Sequence, residues 1–390
     1  MAKSYELRIL GVFVGSFAVY LLIALVVYAP LGHYGGDGDD LSLSDPWIDR
    51  VQTILDGGLL YRDVYTTTPP LINFLLMPPV LLSAFFGHRN PWATLSFMTY
   101  FSLFNLFAAY VLLYMAKERK EGYYSALYFL LNPLTFGNAL LRRQDESILV
   151  FFFSLALLFI LHQRHWWASV VIGATTLVKL SGALIVPIAF LQTRDWKYLI
   201  VPAAVFALVF APFLLAAGES AVFWDVSERN TQHPFQLDGI SLGFLWARGH
   251  DKIPLISLEA HSVIFVVGVC AAGALVIFRP KGLLEDLALL TTTVLFLSPK
   301  LHCGYFALVV LMMAPLVRRC RVGALYLLSG PVILAADLCK ANPVRNYNLA
   351  LVLMVVGFSL LIAAVVRMWW LCGARNGVPV SPVERGGEGE

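Results

Sequence analysis

The chain alternates long apolar runs with short polar turns, and its polar residues are shared unevenly among those turns. Apolar sequence from Ile9 to Tyr28 has the reach of a membrane-crossing helix and exceeds a signal-peptide core of roughly 7–15 residues. It predicts an uncleaved signal anchor. Further runs predict helices near 92–115, 122–140, 146–162, 167–178, 180–192, 198–216, 258–278, 283–298, 303–317, 323–339 and 347–371. The stretch 70–86 is also apolar, but Pro78 and Pro79 interrupt it, and it is expected to be re-entrant or interfacial.

The pattern predicts an all-α polytopic membrane protein of about twelve crossings. Residues 1–373 form a single membrane domain, with a first large loop over 31–91 and a second over 217–257. Residues 374–390, rich in Gly, Pro and Glu, read as a disordered tail.

Composition supports this and excludes a soluble protein. Apolar residues make up 59% of the 390 and charged residues 14%, where a soluble domain has about 45–50% and 25%. The five cysteines (Cys270, Cys303, Cys320, Cys339 and Cys372) show no CxxC spacing and read as packing residues.

The net charge of +3 matters less than where the charges fall. With the N-terminus inside and 70–86 not crossing, the basic turns all become cytoplasmic. These are Lys117–Lys120, Arg194 with Lys197, Arg279 with Lys281, and Arg318–Arg321. The inside then carries an excess of Lys and Arg and the outside an excess of Asp and Glu, as the positive-inside rule requires. Both termini are placed in the cytoplasm of a multi-pass cell-membrane protein.

The acids collect in the first outer loop as Asp37, Asp39, Asp40, Asp45, Asp49, Asp56 and Asp63. Carboxylates at a bilayer are costly unless something uses them. Within the loop, Trp47, Ile48, Val51, Ile54 and Leu55 recur at helical spacing, predicting an interfacial helix with Asp45, Asp49, Gln52 and Asp56 on its polar side. Asp45 before Pro46 also suits a plain N-cap, and Gly57-Gly58 a helix stop. The chemical alternative is a general base, with Asp45 and Asp49 leading and Asp39 and Asp40 next. Asp56 and Asp63 read as structural.

Other polar residues fall on the same predicted face: Arg142, Arg143, Asp145, Glu146, Lys179, Lys300 and His302. Lys179 stands alone between two apolar segments, where a charge needs a partner or a purpose.

Four of these motifs resemble, in order, those of the GT-C superfamily of integral-membrane glycosyltransferases. In the first loop, Asp45 is followed by Gly57, then Leu60-Tyr61-Arg62-Asp63, then Pro69-Pro70-Leu71. The others are Arg143-Gln-Asp-Glu-Ser, Val178-Lys-Leu-Ser-Gly and Ser298-Pro-Lys-Leu-His-Cys-Gly-Tyr305. Two positions depart from the resemblance: Thr68 stands where some branches carry Lys, and Pro46 follows the first acid.

The resemblance implies transfer of a hexose, mannose first, from a polyprenyl-phosphate donor to a hydroxyl on a glycan, lipid or protein. A first-loop acid (Asp45, Asp49, Asp40 or Asp39) would serve as base, in an inverting displacement at the extracytoplasmic face. It also implies donor-phosphate contacts from Arg142, Arg143, Lys179, Lys300 and His302, and substrate contacts from Asp145, Glu146, Tyr61 and Arg62. Membrane lipid is an expected partner and nucleic acid is not. An acidic loop can hold Mg²⁺ or Mn²⁺, but no ligand set is legible. The rival expectation is a secondary transporter or a flippase for a glycolipid or small solute, although no repeated halves are visible.

Overall fold

The structure is a computed structural model that describes residues 2–28, 45–64, 66, 68–87, 91–141, 144–218, 247–248, 253–254, 258–298, 301–340 and 343–373. Asp37, Asp39, Asp40, Arg142, Arg143, Lys300, most of the 217–257 loop and the 374–390 tail lie outside the described residues.

The chain is an all-α polytopic membrane protein. Five of the described helices are long and apolar enough to cross a bilayer. They are α1 (Ala2–Tyr28), α5 (Pro91–Met115), α11 (Lys197–Ala217), α12 (Leu258–Phe278) and α17 (Pro343–Gly373). Val14 and Leu22 on α1, Leu208 and Leu215 on α11, and Val263 and Phe278 on α12 are exposed. Exposed apolar faces on membrane-length helices are the surface that lipid covers.

The other elements are shorter. In the first loop lie α2 (Asp45–Leu55), α3 (Pro70–Leu75) and α4 (Met77–Phe86). The expected short apolar segment over 70–86 is thus two helices broken at Leu76, with Pro70 opening the first and Pro78 the second. At 1.5 Å per residue neither alone reaches across a core of about 30 Å. Helix α4 packs on α5.

The expected single helix over 122–140 is interrupted. Helix α6 (Arg119–Leu131) stops at Asn132, and α7 (Pro133–Phe136) leads into a π turn over Gly137–Leu141. Pro133 has no N–H to continue the ladder. The Asn132 side chain accepts from Leu134 N at 3.0 Å and donates to Tyr326 O at 3.2 Å, so it caps α7 and ties it to the far end of the sequence.

Then come α8 (Glu146–Leu161), α9 (His165–Val178), a 3₁₀ turn (Leu180–Leu184) and α10 (Ile185–Thr193). A strand pair, β1 (Ala247–Arg248) and β2 (Ile253–Pro254), precedes α12. Helix α13 (Leu283–Leu297) is followed by a 3₁₀ turn (Cys303–Phe306), α14 (Ala307–Met313), α15 (Val317–Cys320) and α16 (Gly323–Lys340). The expected helix 303–317 is therefore several short pieces. Every residue of α14 is buried, which makes it the middle of the bundle, and α16 packs along α17.

Cys320 is disulfide-bonded, which corrects the expectation that every cysteine serves only in packing. Cys270, Cys303 and Cys339 form no disulfide.

Side-chain contacts gather several basic turns at one end of the bundle. Tyr114 donates to Glu6, the Arg119 guanidinium lies over the Tyr114 ring, and Arg318 pairs with Glu121 at 2.8 Å. These contacts join the start of α1, the α5–α6 turn and α15. At another set of predicted cytoplasmic turns, Asp286 accepts from Gln192 Nε2 at 2.7 Å and Trp369 Nε1 at 3.2 Å.

Candidate active site

At the end of α9 the helix breaks, and Lys179 takes an extended backbone with φ −156° and ψ 135°. Its side chain reaches the start of α8. The ammonium donates to Glu146 and lies 3.5 Å from Asp145 Oδ1 and 4.7 Å from the centroid of the Tyr305 ring. Glu146 is 1% exposed, whereas the Lys179 side chain is 28% exposed and forms the open edge of the group. Both acids sit at the N-terminus of α8, where the helix dipole favours negative charge.

The sequence motifs around Glu146, Lys179 and Tyr305 therefore meet in space. His302 joins them through Tyr305, its ring nearly perpendicular at 5.6 Å between centroids.

Two contributors were missed. Asn138, on the π turn, is fully buried, and among the described residues neither its side-chain oxygen nor its nitrogen has a hydrogen-bond partner; nor does Glu146 Oε2. A Cβ on Gly304 would overlap Asn138 Oδ1 and lie 3.2 Å from Glu146 Oε2, so a bare α-carbon is what lets these groups converge. Buried polar atoms are nearly always paired, and orphaned ones mark sites for water or ligand. A lone polar residue inside an apolar run is the signal that existed.

The first loop folds beside this cluster. Leu60 and Tyr61 pack with Leu177, two residues before Lys179, and with Phe210 and Ala217, while α3 packs on α9. In α2, Trp47, Ile48 and Val51 are buried as predicted, with Trp47 against Phe97 and Phe101, but Leu55 is exposed. Asp49 lies on the exposed side of α2, and Asp56, exposed in the turn just after the helix, accepts from Gln52 at 3.0 Å. Asp45 begins the helix; its side chain lies outside the described set.

Tyr61, expected to touch substrate, is committed to the loop itself. Its hydroxyl donates to Thr68 O at 2.7 Å and its ring stacks on Phe210 at 5.3 Å. Burial pushes its phenol up, with Arg50 pulling the other way. Arg50, also missed, is half-buried on α2 and donates to Thr68 Oγ1 at 3.3 Å. Thr68 also contacts Thr66 at 2.8 Å, so the position where some relatives carry Lys is here part of a hydroxyl cluster beside an arginine.

Arg62 is exposed and pairs with Asp63 at 2.8 Å. Asp63 Oδ2 also accepts from Leu59 N at 2.7 Å, closing the turn. The Arg62 hydrogen bond and then the Leu59 amide hold the Asp63 carboxyl down at about 2, against an ordinary value of 3.8. A depressed carboxyl stabilises the folded turn above its unfolded value, and that contribution fades as pH falls through about 2. Asp63→Asn is expected to speed proteolytic cleavage of the 57–64 turn at neutral pH and to flatten the acid dependence of cleavage. Unchanged cleavage would remove Asp63 from the structural set.

Among the described residues, no cluster of three or more His, Cys, Asp or Glu side chains is placed to hold a metal ion.

Membrane-length helices bundle so that polar motifs meet at one end, and the family match supplies the class of this bundle, an integral-membrane glycosyltransferase. The chain belongs to glycosyltransferase family 87, whose profile matches residues 65–299. That span holds Asp145, Glu146 and Lys179 and begins after the seven first-loop acids. Among solved structures the chain is similar to ArnT from Cupriavidus metallidurans bound to undecaprenyl phosphate, with a TM-score of 0.48, 14% identity, and coverage of 92% of this chain and 78% of that one. It is also similar to the archaeal oligosaccharyltransferase AglB from Archaeoglobus fulgidus, in complex with an inhibitory peptide and a dolichol-phosphate. There the TM-score is 0.40 at 14% identity, covering 93% of this chain and 56% of that one. No curated protein sequence matches the chain.

Proposed function

We propose that this glycosyltransferase moves a hexose, mannose first, from a polyprenyl-phosphate donor to a hydroxyl acceptor on the extracytoplasmic face. The observation that carries the reading is the packing of Leu60 and Tyr61 of the acidic loop against Leu177, next to Lys179. It sets the Leu60–Tyr61 stretch of that loop beside the end of α9, which supports a reading in which a first-loop base works with the polar cluster of α8 and α9. The distribution of Lys and Arg among the turns supports an outward orientation for that end.

In the proposed step a first-loop carboxylate takes the acceptor hydroxyl's proton as its oxygen bonds to the anomeric carbon. The bond from that carbon to the phosphate oxygen breaks, its electron pair leaves with the polyprenyl phosphate, and the anomeric configuration inverts. Arg142, Arg143 and Lys300 are suited to stabilise the charge that builds on the phosphate. Membership of a glycosyltransferase family sets aside the transporter and flippase alternatives.

The test is transfer by purified protein in lipid nanodiscs, with labelled polyprenyl-phosphate mannose offered beside labelled nucleotide-mannose. Label is expected to move from the lipid-linked donor alone, giving a product of inverted anomeric configuration. Transfer from the nucleotide sugar only would overturn the donor assignment, and a retained configuration would overturn the single displacement.

A further inference from the structure

We infer that Asn138, Asp145, Glu146 and Lys179 form a subsite for the hydroxyl groups of a neutral sugar, and that Lys179 does not serve as the phosphate grip. The inference rests on the glycosyl-transfer reading and names what its best-described cluster binds.

Charge argues first. The Lys179 ammonium already faces Glu146 and Asp145, so these three side chains sum to one negative charge. An incoming phosphate would meet two carboxylates along with the lysine, and like charges at such range oppose binding. Neutral hydroxyls meet no such barrier.

Hydrogen-bonding capacity argues second. Asn138 offers a donor and an acceptor that are both unused among the described residues, and Glu146 Oε2 is an unused acceptor. The ammonium carries three donors, one of them given to Glu146. Hydroxyls that each donate one bond and accept another match this mixed set, whereas a phosphate, which only accepts, leaves the carboxylate and the amide oxygen unmet.

Convergence argues third. Asn138 Oδ1 and Glu146 Oε2 both border the point where a Gly304 side chain would begin, and both side chains are over nine-tenths buried. The Tyr305 ring, beside the ammonium, supplies an apolar wall suited to the C–H face of a sugar.

The experiment compares two ligands that differ only in the sugar. In nanodiscs, the KM for polyprenyl-phosphate mannose is measured along with the inhibition constant of sugar-free polyprenyl phosphate. Asn138→Ala and Glu146→Gln are each expected to raise the donor KM about tenfold, the scale of one lost buried hydrogen bond. The inhibition constant of the sugar-free lipid is expected to stay within about twofold. Asn138→Ser, which keeps a small polar side chain, covers the case in which the alanine variant does not fold.

If both constants rise together, the cluster binds phosphate and the inference is overturned. If neither moves in folded variants, Asn138 holds only a buried water, and the inference is overturned in that case too. A wild-type protein that transfers nothing from the lipid donor would instead sink the functional reading, a separate outcome.

Discussion

Replacing the first-loop aspartates one at a time with asparagine is expected to find one position where turnover falls by about 10²–10⁴-fold, the usual contribution of a general base. Asparagine is the informative substitution because it keeps the shape and removes the proton acceptor. At Asp45 it also preserves the helix start, since Asn caps as well as Asp. A loss there would therefore report chemistry and leave α2 intact. At Asp49, on the exposed side of α2, the same change is expected to alter stability by no more than about 0.5 kcal/mol. Asp56→Asn is the control, because that carboxylate, just past the end of α2, accepts from Gln52 on the last turn of the helix. The base variant should lose the acid limb of its pH–rate profile while the donor KM holds. If Asp37, Asp39, Asp40, Asp45 and Asp49 all tolerate the change within about threefold, no first-loop base of ordinary strength exists. The role would then pass to Asp145, the more open of the two acids beside Lys179.

Much of this architecture was legible in the order of residues because hydropathy reports directly on a bilayer. The apolar runs that became α1, α5, α11, α12 and α17 needed no partner to be recognised. The amphipathic repeat of α2 read true at Trp47, Ile48 and Val51 but not at Leu55, and the break at Lys179 was visible because a lone cation divides two apolar segments. Local chemistry was overridden at Asn132-Pro133. That dipeptide is a helix stop, but the apolar sequence around it suggested continuity.

Asn138 and Arg50 were harder to find. Each is a single polar residue whose meaning comes from neighbours distant in sequence: Gly304 for the first, the Thr66–Thr68 turn for the second. The partner of Lys179 lies 33 residues away, so the sequence showed that a partner was needed but not which acid supplied it. What stayed hidden was pairing across the bundle, which decides whether a charge is free to meet a ligand.

That pairing gives the second large effect. Lys179→Met is expected to destabilise the protein by about 3–5 kcal/mol, because it leaves the buried Glu146 carboxylate without its counter-charge and beside Asp145. Glu146→Leu should cost less, since Asp145 at 3.5 Å still compensates the ammonium and Lys179 retains an open edge. The double variant is expected to recover part of the Lys179→Met loss, because no uncompensated carboxylate then remains at position 146 and a buried pair replaced by apolar residues often costs little. Apparent Tm in detergent, followed by size-exclusion of a fluorescent fusion, would read the three variants against wild type. Coupling of at least about 1 kcal/mol between the two positions is expected from contact at this range. Strictly additive losses would mean that the pair is not formed in the folded protein, and the charge argument for a hydroxyl subsite would fall with it. A double variant that folds as well as wild type yet transfers no sugar would separate the roles. Its core would stand without the ion pair, and the hydrogen bonds of Lys179 and Glu146 would be needed for substrate.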